Sequence, residues 1–384
     1  MPIKILHTSD WHLGKSIYGH SLIEDQAYFI DNIFFPTLIK EKPNLVIISG
    51  DIFDKHIAPI SAINLFNGVI TKISKDLHIP ICIISGNHDS PERMCLASDI
   101  LRQNGIYIAS NISDVYSPVE LNFNGENVNI FLLPYFNLQM ARSFLKNENI
   151  SSLEEAYKYI IEALKVKLNK NNFNILVTHT FVTGCTCDKS QTSLQIGGSD
   201  EVCSNTFSDF DYVALGHLHS SQKAGNNGKY SGSPLQYSFD EPDKSKSFTL
   251  LNITNKNLTI KELEIKPLHK MQTISGMFRD IVELGKNSPS DDYICINLED
   301  DMPIYMPMEQ LRVYFKNILT LNTNWINGKK SSDILQKSDA INRLSNPEHV
   351  FKEFLQQICL TEATEDDIKI FNQAIIDLKK DEHK

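Results

Sequence analysis

A chain of 384 residues is too long for one small core, and 41% hydrophobic with 22% charged content is that of a globular protein. No apolar run approaches the ~20 residues of a membrane span. A net charge of −10 excludes strong unaided binding to nucleic-acid phosphate, leaving a local patch, metal ions or a partner as the routes to it. Seven irregularly spaced cysteines exclude a disulfide framework and fit reduced thiols in a cytoplasm.

The chain enters its first strand at once, so no signal peptide is expected. Ile3-Lys4-Ile5-Leu6-His7 reads as that strand and runs into Thr8-Ser9-Asp10-Trp11-His12-Leu13-Gly14. Asp10 and His12 are two apart, and in an extended segment both side chains point the same way. Glu24 to Lys42 has helical periodicity, which Pro36 must kink or interrupt. Leu45 to Ser49 is a continuous apolar strand ending in Gly50-Asp51-Ile52-Phe53-Asp54. A helix over Ala62 to Lys75 leads to a third strand, Ile79 to Ile84, and then to Ser85-Gly86-Asn87-His88-Asp89. Gly86 permits a tight turn there. Ser90 and Pro91 start a helix that stops near Gly105 and can aim its positive end at the same loop. This βαβαβα pattern predicts a largely parallel sheet.

After Tyr107 the texture changes. Val119–Phe123 and Val128–Leu132 alternate around Asn124-Gly125, a hairpin signature. Leu153 to Leu168 is an amphipathic helix. Strands follow at Asn174–Thr178, ending at His179, and at Tyr212–Leu215, ending in Gly216-His217-Leu218-His219. A second hairpin spans Phe248 to Ile265. Parallel and antiparallel parts together predict a two-sheet α/β sandwich over residues 1–266. Residues 267–326 read strand, helix, strand, helix, strand, with the last helix over Met308–Ile318 and the last strand over Leu321–Trp325: a small separate α/β domain. Residues 327–384 are a linker and two helices. The first is capped by Asn346; the second starts with a capping box at Thr364 and Asp367. Their apolar stripes pack on the main body or on a partner.

Asp10, His12, Asp51, Asn87, His179, His217 and His219 all sit at predicted strand ends of one sheet. Any one of them alone would be surface decoration; together they read as a metal site. Imidazole and carboxylate without thiolate suit manganese, iron, cobalt or zinc. These donors suffice for two ions if one carboxylate bridges, and two-metal sites ~3.5–4 Å apart perform in-line displacement at phosphorus. Cys185 and Cys187, near His179, read as loop thiols.

The pattern D-x-H, G-D-x-x-D, G-N-H-D, H, G-H-x-H resembles the calcineurin-like metallophosphoesterases, whose fold is a β-sandwich flanked by helices. The segments His7–Gly14, Gly50–Asp54, Ser85–Ser90, Ala214–His219, Tyr230–Leu235 and Ser238–Glu241 bring the resemblance closer, to the bacterial SbcD nuclease subunits. That resemblance implies one metal on Asp10, His12, Asp51 and His219, and another on Asp51, Asn87, His179 and His217, the ions being Mn2+. It makes His88 the catalytic histidine, with Asp54 either its carboxylate partner or a capping acid. It implies a capping domain, exo- and endonuclease activity in DNA repair, recombination and replication, and a coiled-coil SbcC-like ATPase partner. A homodimer within a cytoplasmic heterotetramer would follow. Lys15, Tyr18, His20 and Arg93, with Lys223, are candidate DNA contacts.

The alternative enzyme is a small-substrate phosphatase or cyclic-nucleotide phosphodiesterase. The phosphatases usually have Arg after G-D-x-x-D and Glu after Asn-His, where this chain has Lys55 and Asp89. A DNA-tethering scaffold is the non-enzymatic alternative, and it has no physical need for seven aligned donors.

Overall fold

A computed structural model describes residues 2–123, 125–187, 201–241, 245–324, 351–352, 355, 363–364 and 366–373. Two six-stranded sheets face each other. The first is ordered Asn257–Ile265, Lys246–Thr254, Ile3–Thr8, Leu45–Ser49, Ile81–Ile84, Ile106–Ala109. The second is ordered Gln222–Ala224, Gly228–Tyr230, Tyr212–Gly216, Phe173–His179, Glu126–Leu133, Val119–Phe123. The strands from Ile3 to Ala109 run parallel, as do Phe173–His179 and Tyr212–Gly216. Both predicted hairpins are antiparallel pairs.

The apolar runs are continuous because both faces of each central strand are covered. Ile5, Leu45, Ile47, Cys82, Ile84, Ile175, Val177 and Ala214 fill the space between the sheets. The alternate residues Leu6, Val46, Ile48, Ile81 and Ile83 face outward into a cluster with Trp11, Phe29, Phe34 and Phe66. Leu176, Val213 and Leu215 meet Tyr157, Ile160 and Leu164 of the helix Leu153–Leu164 on the opposite outside. The seven strand-end donors are therefore shared between two sheets, not aligned on one as the sequence suggested. The sandwich brings both carboxyl edges together.

At that edge the sheets approach to backbone contact. A Cβ on Gly216 would lie 1.9 Å from the Ser49 carbonyl oxygen, so the second sheet could not close on the first with any side chain there. His179 Nδ1 donates to the same carbonyl at 2.8 Å. His7 pins the joint from the first sheet, with Nε2 2.9 Å from Ser49 Oγ and Nδ1 3.0 Å from Tyr212 Oη. Burial, followed by the charge of Lys229, pushes His7 down to about 3. The imidazole is thus neutral when folded. Below its ordinary 6.5 the unfolded chain takes up a proton that the native state refuses, so stability is complete above 6.5 and falls with pH. Between about pH 7.5 and about pH 5.5 the wild type should lose about 1.4 kcal/mol more unfolding free energy than His7→Gln, measured by urea titration. Equal losses in the two proteins would remove His7 from the account.

Three local expectations change. The predicted helix Glu24–Lys42 is Ile23–Phe29, a wide π turn at Ile30–Phe34, and Phe35–Glu41. The Phe35 N–H bonds Ile30 O, which places Pro36 in a first turn where its missing N–H costs nothing. The helix after His88 is two short pieces, Pro91–Met94 and Ser98–Arg102, broken by left-handed Ala97. Ser90 Oγ bonds Glu92 instead of capping, and four residues carry too little aligned dipole to act on the loop. The last helix of the 267–326 stretch is only Pro307–Arg312, and Phe315–Thr323 is a strand. Phe315 and Ile318, three apart, fit a helical stripe, but they supply the edge of a sheet ordered Met271–Gly276, Ser290–Leu298, Phe315–Thr323.

By contacts, one compact unit comprises Met1–Ser275, Arg279–Asn297 and Met306–Leu321, and a second comprises Gly276–Phe278, Leu298–Tyr305 and Asn322–Lys384. In the first, Tyr293 Oη donates to Asp25 Oδ2 at 2.5 Å and His269 Nδ1 lies 3.0 Å from Asp25 Oδ1. In the second, Phe351 and Phe371 stack at 4.2 Å, and Thr364 and Asp367 form the expected capping box. The cap at Asn346 and most of both terminal stripes, including Phe354, Ile358, Ile375 and Leu378, lie outside the described residues, as does Trp325. No helix among the described residues is long and apolar enough to cross a membrane.

Candidate metal centre

The loops that leave the two carboxyl edges are tightly folded, not extended. Asp10, His12, Asp51 and His217 all have positive φ, at 54°, 45°, 49° and 107°. Asp10 and His12 therefore converge through left-handed turns, contrary to the extended segment expected from their spacing. Such backbone is unfavourable for residues with side chains and persists where surrounding bonds impose it. Here Asp10 N donates to Gly50 O, His12 N to Asp51 O and Leu13 N to Ile52 O, at 2.8–3.0 Å. Gly86 is needed for close approach and not for its turn: a Cβ there would lie 2.2 Å from Asp51 Oδ1.

The donors meet at two foci: Asp10 belongs to both, and one carboxylate oxygen of Asp51 lies near a histidine of each. Asp10, His12 and His219 bring ligand atoms within 4.8 Å of one another, as do Asp10, Asp51 and His179. His12 Nε2 lies 3.1 Å from His219 Nε2 and 3.7 Å from Asp51 Oδ2. His179 Nε2 is 3.4 Å from that same oxygen. Asn87 Oδ1 lies 3.0 Å from His179 Nε2 and 3.1 Å from His217 Nδ1. The main chain of His217 donates to Asp10 Oδ1 at 3.0 Å.

The electrostatics are those of a cation site. Burial would raise Asp51, but adjacent His179 holds it well below the ordinary carboxylate range. Burial works against charge on His179 too, yet Asp51 lifts it to about 9. Burial, and then the charge on His179, press His217 down to about 3; burial also holds His12 well below its ordinary value. Burial raises Asp10. Asp51 and His179 thus form a buried ion pair, while neutral His12 and His217 keep buried lone pairs available to a cation. His12 Nδ1 is buried without a hydrogen-bond partner among the described residues. These residues fit divalent ions: hard carboxylate and amide oxygens, borderline imidazoles and no thiolate.

His88 stands beside this cluster. Its main-chain N–H donates to Asp51 Oδ1 at 2.9 Å, and its ring meets that of His12 edge to face at 4.8 Å. Its Nδ1 lies 2.8 Å from the Asp54 main-chain oxygen. The carboxylate of Asp54 lies 2.7 Å from Lys15 Nζ and 3.6 Å from His12 Nδ1, and His12, Asp54 and His88 bring ligand atoms within 4.8 Å of one another. The hydrogen bond that His88 makes with Asp54 is to its carbonyl, with the carboxylate close by. Lys15 is spent on Asp54 and on the Tyr237 ring, and His20 Nε2 is 3.2 Å from Tyr293 Oη. Tyr18 is 65% exposed; Arg93 and Lys223 are also exposed.

Residues to which the sequence reading assigned no role hold the loops. Asp89 accepts from Ile52 N, Phe53 N and Gly86 N at 3.1, 2.9 and 2.9 Å, stapling the Asp51 loop to the Asn87 loop. Burial and then Asp51 push this carboxyl up to about 6, with the three N–H groups pulling the other way. Gln26 donates to His12 O at 2.8 Å and accepts from Gly14 N at 2.8 Å. Its signal was a polar residue in line with the apolar stripe of Ile30 and Ile33. Glu241 and Lys246 lie behind His219.

A family model described as calcineurin-like phosphoesterase matches residues 3–221, and one described as type 5 capsule protein repressor C-terminal domain matches residues 267–358. The chain is 35% identical over 323 residues to the SbcD subunit of the SbcCD nuclease of Staphylococcus epidermidis, covering 83% of this chain and 85% of that protein. A dimetal phosphatase from Danio rerio superposes with a TM-score of 0.43 at 14% identity, over 69% of this chain and 96% of that one. With more than half its length matched by one family model and most of it by this relative, the chain belongs to the calcineurin-like phosphoesterase family, in the branch that contains the SbcD nuclease subunits.

Proposed function

We propose that the chain is the nuclease subunit of an SbcCD-type complex: a two-metal DNA phosphodiesterase, exo- and endonucleolytic, acting with an SbcC-like ATPase in DNA repair, recombination and replication. The observation that carries the reading is the convergence of seven donors at one place: two triads with Asp10 in common, Asp51 within reach of a histidine of each, Asn87 against His179 and His217, and His88 beside them. A DNA substrate and an ATPase partner are supported by the nuclease relative and by the matched C-terminal domain.

Asp10, His12, Asp51 and His219 would hold one divalent ion, and Asp51, Asn87, His179 and His217 the other, with Mn2+ the proposed ion. When bound, the pair supplies Lewis-acid polarisation of the phosphate and a nucleophile at neutral pH. Asp10 and Asp51 offset only two of the four positive charges, so the site attracts phosphate within an acidic protein. His88 Nδ1–H rests on the Asp54 carbonyl, which fixes the ring and directs Nε2 to the substrate. The ring carries a second proton on Nε2 and gives that proton to the leaving oxygen as the P–O bond breaks, keeping Nδ1–H on the carbonyl.

Residues 267–326 would serve as the capping domain and 327–384 as linker and ATPase-binding helices, with 1–266 the nuclease domain. Lys15, Tyr18, His20 and Arg93 are the proposed DNA contacts. A homodimer within a cytoplasmic heterotetramer belongs to the same proposal; Ile57, Ile60, Leu96 and Ile100, exposed on the segments after Asp54 and Asp89, offer apolar surface to a second copy.

Plasmid and hairpin DNA incubated with the protein, with and without the ATPase partner, test the reading. Cutting should require Mn2+, stop with EDTA and return on adding Mn2+. Absence of cutting in every combination, or turnover of small phosphate esters alone, would defeat it.

A further inference from the structure

Behind His219 lies a closed polar ring. Its Nδ1 is 3.3 Å from Glu241 Oε1, which also accepts from Tyr237 N at 2.8 Å. Glu241 Oε2 takes Lys246 Nζ at 2.5 Å. The same ammonium donates to Ser233 Oγ at 2.8 Å and to the main-chain oxygen of His219 at 3.0 Å, using all three of its protons. The pair therefore grips both the ring and the backbone of one residue. Glu241 is 5% and Lys246 9% exposed. A buried ion pair adds little net stability, because desolvation offsets the attraction. Its arrangement around a single imidazole calls for another reason.

We propose that Glu241 and Lys246 are positioning residues that fix His219 as the Nδ1–H tautomer and aim its Nε2 lone pair into the focus shared with Asp10 and His12. A carboxylate has acceptors only, so the imidazole proton must lie on Nδ1. Lys246 keeps the carboxylate charged and in place. The two foci then differ in their support: His219 is backed by a lysine-clamped carboxylate, His179 by the Ser49 carbonyl. Partners of this kind set ring orientation and ligand basicity, and their loss costs metal affinity 10–100-fold in general. The inference rests on the proposed role of His219 as a metal ligand.

The test is Glu241→Gln. Its amide oxygen would turn to Lys246 and its NH2 to His219 Nδ1, driving the proton to Nε2 and masking the lone pair. Two readouts are independent of DNA cutting. In the metal-free protein, 15N-edited NMR at about pH 8, above the ordinary histidine range, should show His219 as Nδ1–H in the wild type and Nε2–H in the variant, with His219→Asn assigning the signal. In a Mn2+ titration, one of two binding events should weaken roughly 10–100-fold in the variant while the other is kept. A wild-type Nε2–H tautomer overturns the proposal, and needs no folded variant to be seen. So does unchanged Mn2+ binding by a folded variant. Failure of DNA cutting with both readouts as expected would strike the proposed function alone.

Discussion

Replacing His88 by alanine is expected to slow DNA cleavage by about 10²–10⁴-fold, the usual contribution of a general acid. Divalent-ion binding should survive, because the bond that His88 gives to Asp51 Oδ1 comes from its main chain and alanine keeps it. The loss should depend on the leaving group. A deoxyribose oxygen leaves poorly as an anion and needs the proton; p-nitrophenolate does not. Bis(p-nitrophenyl) phosphate should therefore be cut by His88→Ala far closer to the wild-type rate than DNA is. Equal losses on both substrates would assign His88 to positioning and not to proton transfer. Asp54→Asn offers a contrast: its carboxylate faces Lys15 and His12, so the variant should perturb that pair while leaving the carbonyl that holds His88.

Asp89→Ala should be among the most destabilising single changes in the chain. Three main-chain N–H groups, of Ile52, Phe53 and Gly86, would lose their acceptor in a buried place. At about 1–3 kcal/mol for each unsatisfied donor, partly relieved by entering water, the cost is roughly 3–5 kcal/mol. That is a fall of about 4–6 °C in melting temperature for a chain of this size. The damage should also be functional, since the same staple holds the loop of Asp51 to the loop of Asn87 and so joins the two foci. Calorimetry and Mn2+ titration of the purified variant check both effects. A melting temperature within about 2 °C of wild type, or undiminished ion binding, would show that the staple is dispensable.

Much of this protein could be read along the chain. The continuous apolar runs at Leu45–Ser49 and Phe173–His179 announced strands buried on both faces, because only a doubly covered strand needs no polar side. The donors stood at strand ends, where the backbone leaves the sheet and side chains become available for chemistry. Their residue types restricted the metals. All of this is local: periodicity of two, turn residues and the donor chemistry of each side chain.

What only the tertiary structure decided is how separate loops act on one another. The sequence placed the donors on one sheet; the fold divides them between two and closes these to backbone contact at Gly216 and Ser49. It put Asp10 and His12 in left-handed turns that bonds from the neighbouring Gly50–Ile52 segment impose. It gave His88 a hydrogen bond to the carbonyl of Asp54, with the carboxylate close by and bonded to Lys15. Asp89 and Glu241 stood inside marked motifs but with no legible role, and Gln26 was unmarked, since each acts on residues brought near by folding. A strand's periodicity is written in adjacent residues, but the partner of a buried polar group is chosen by whichever distant segment the packing delivers, and a single chain read in order does not contain that distance.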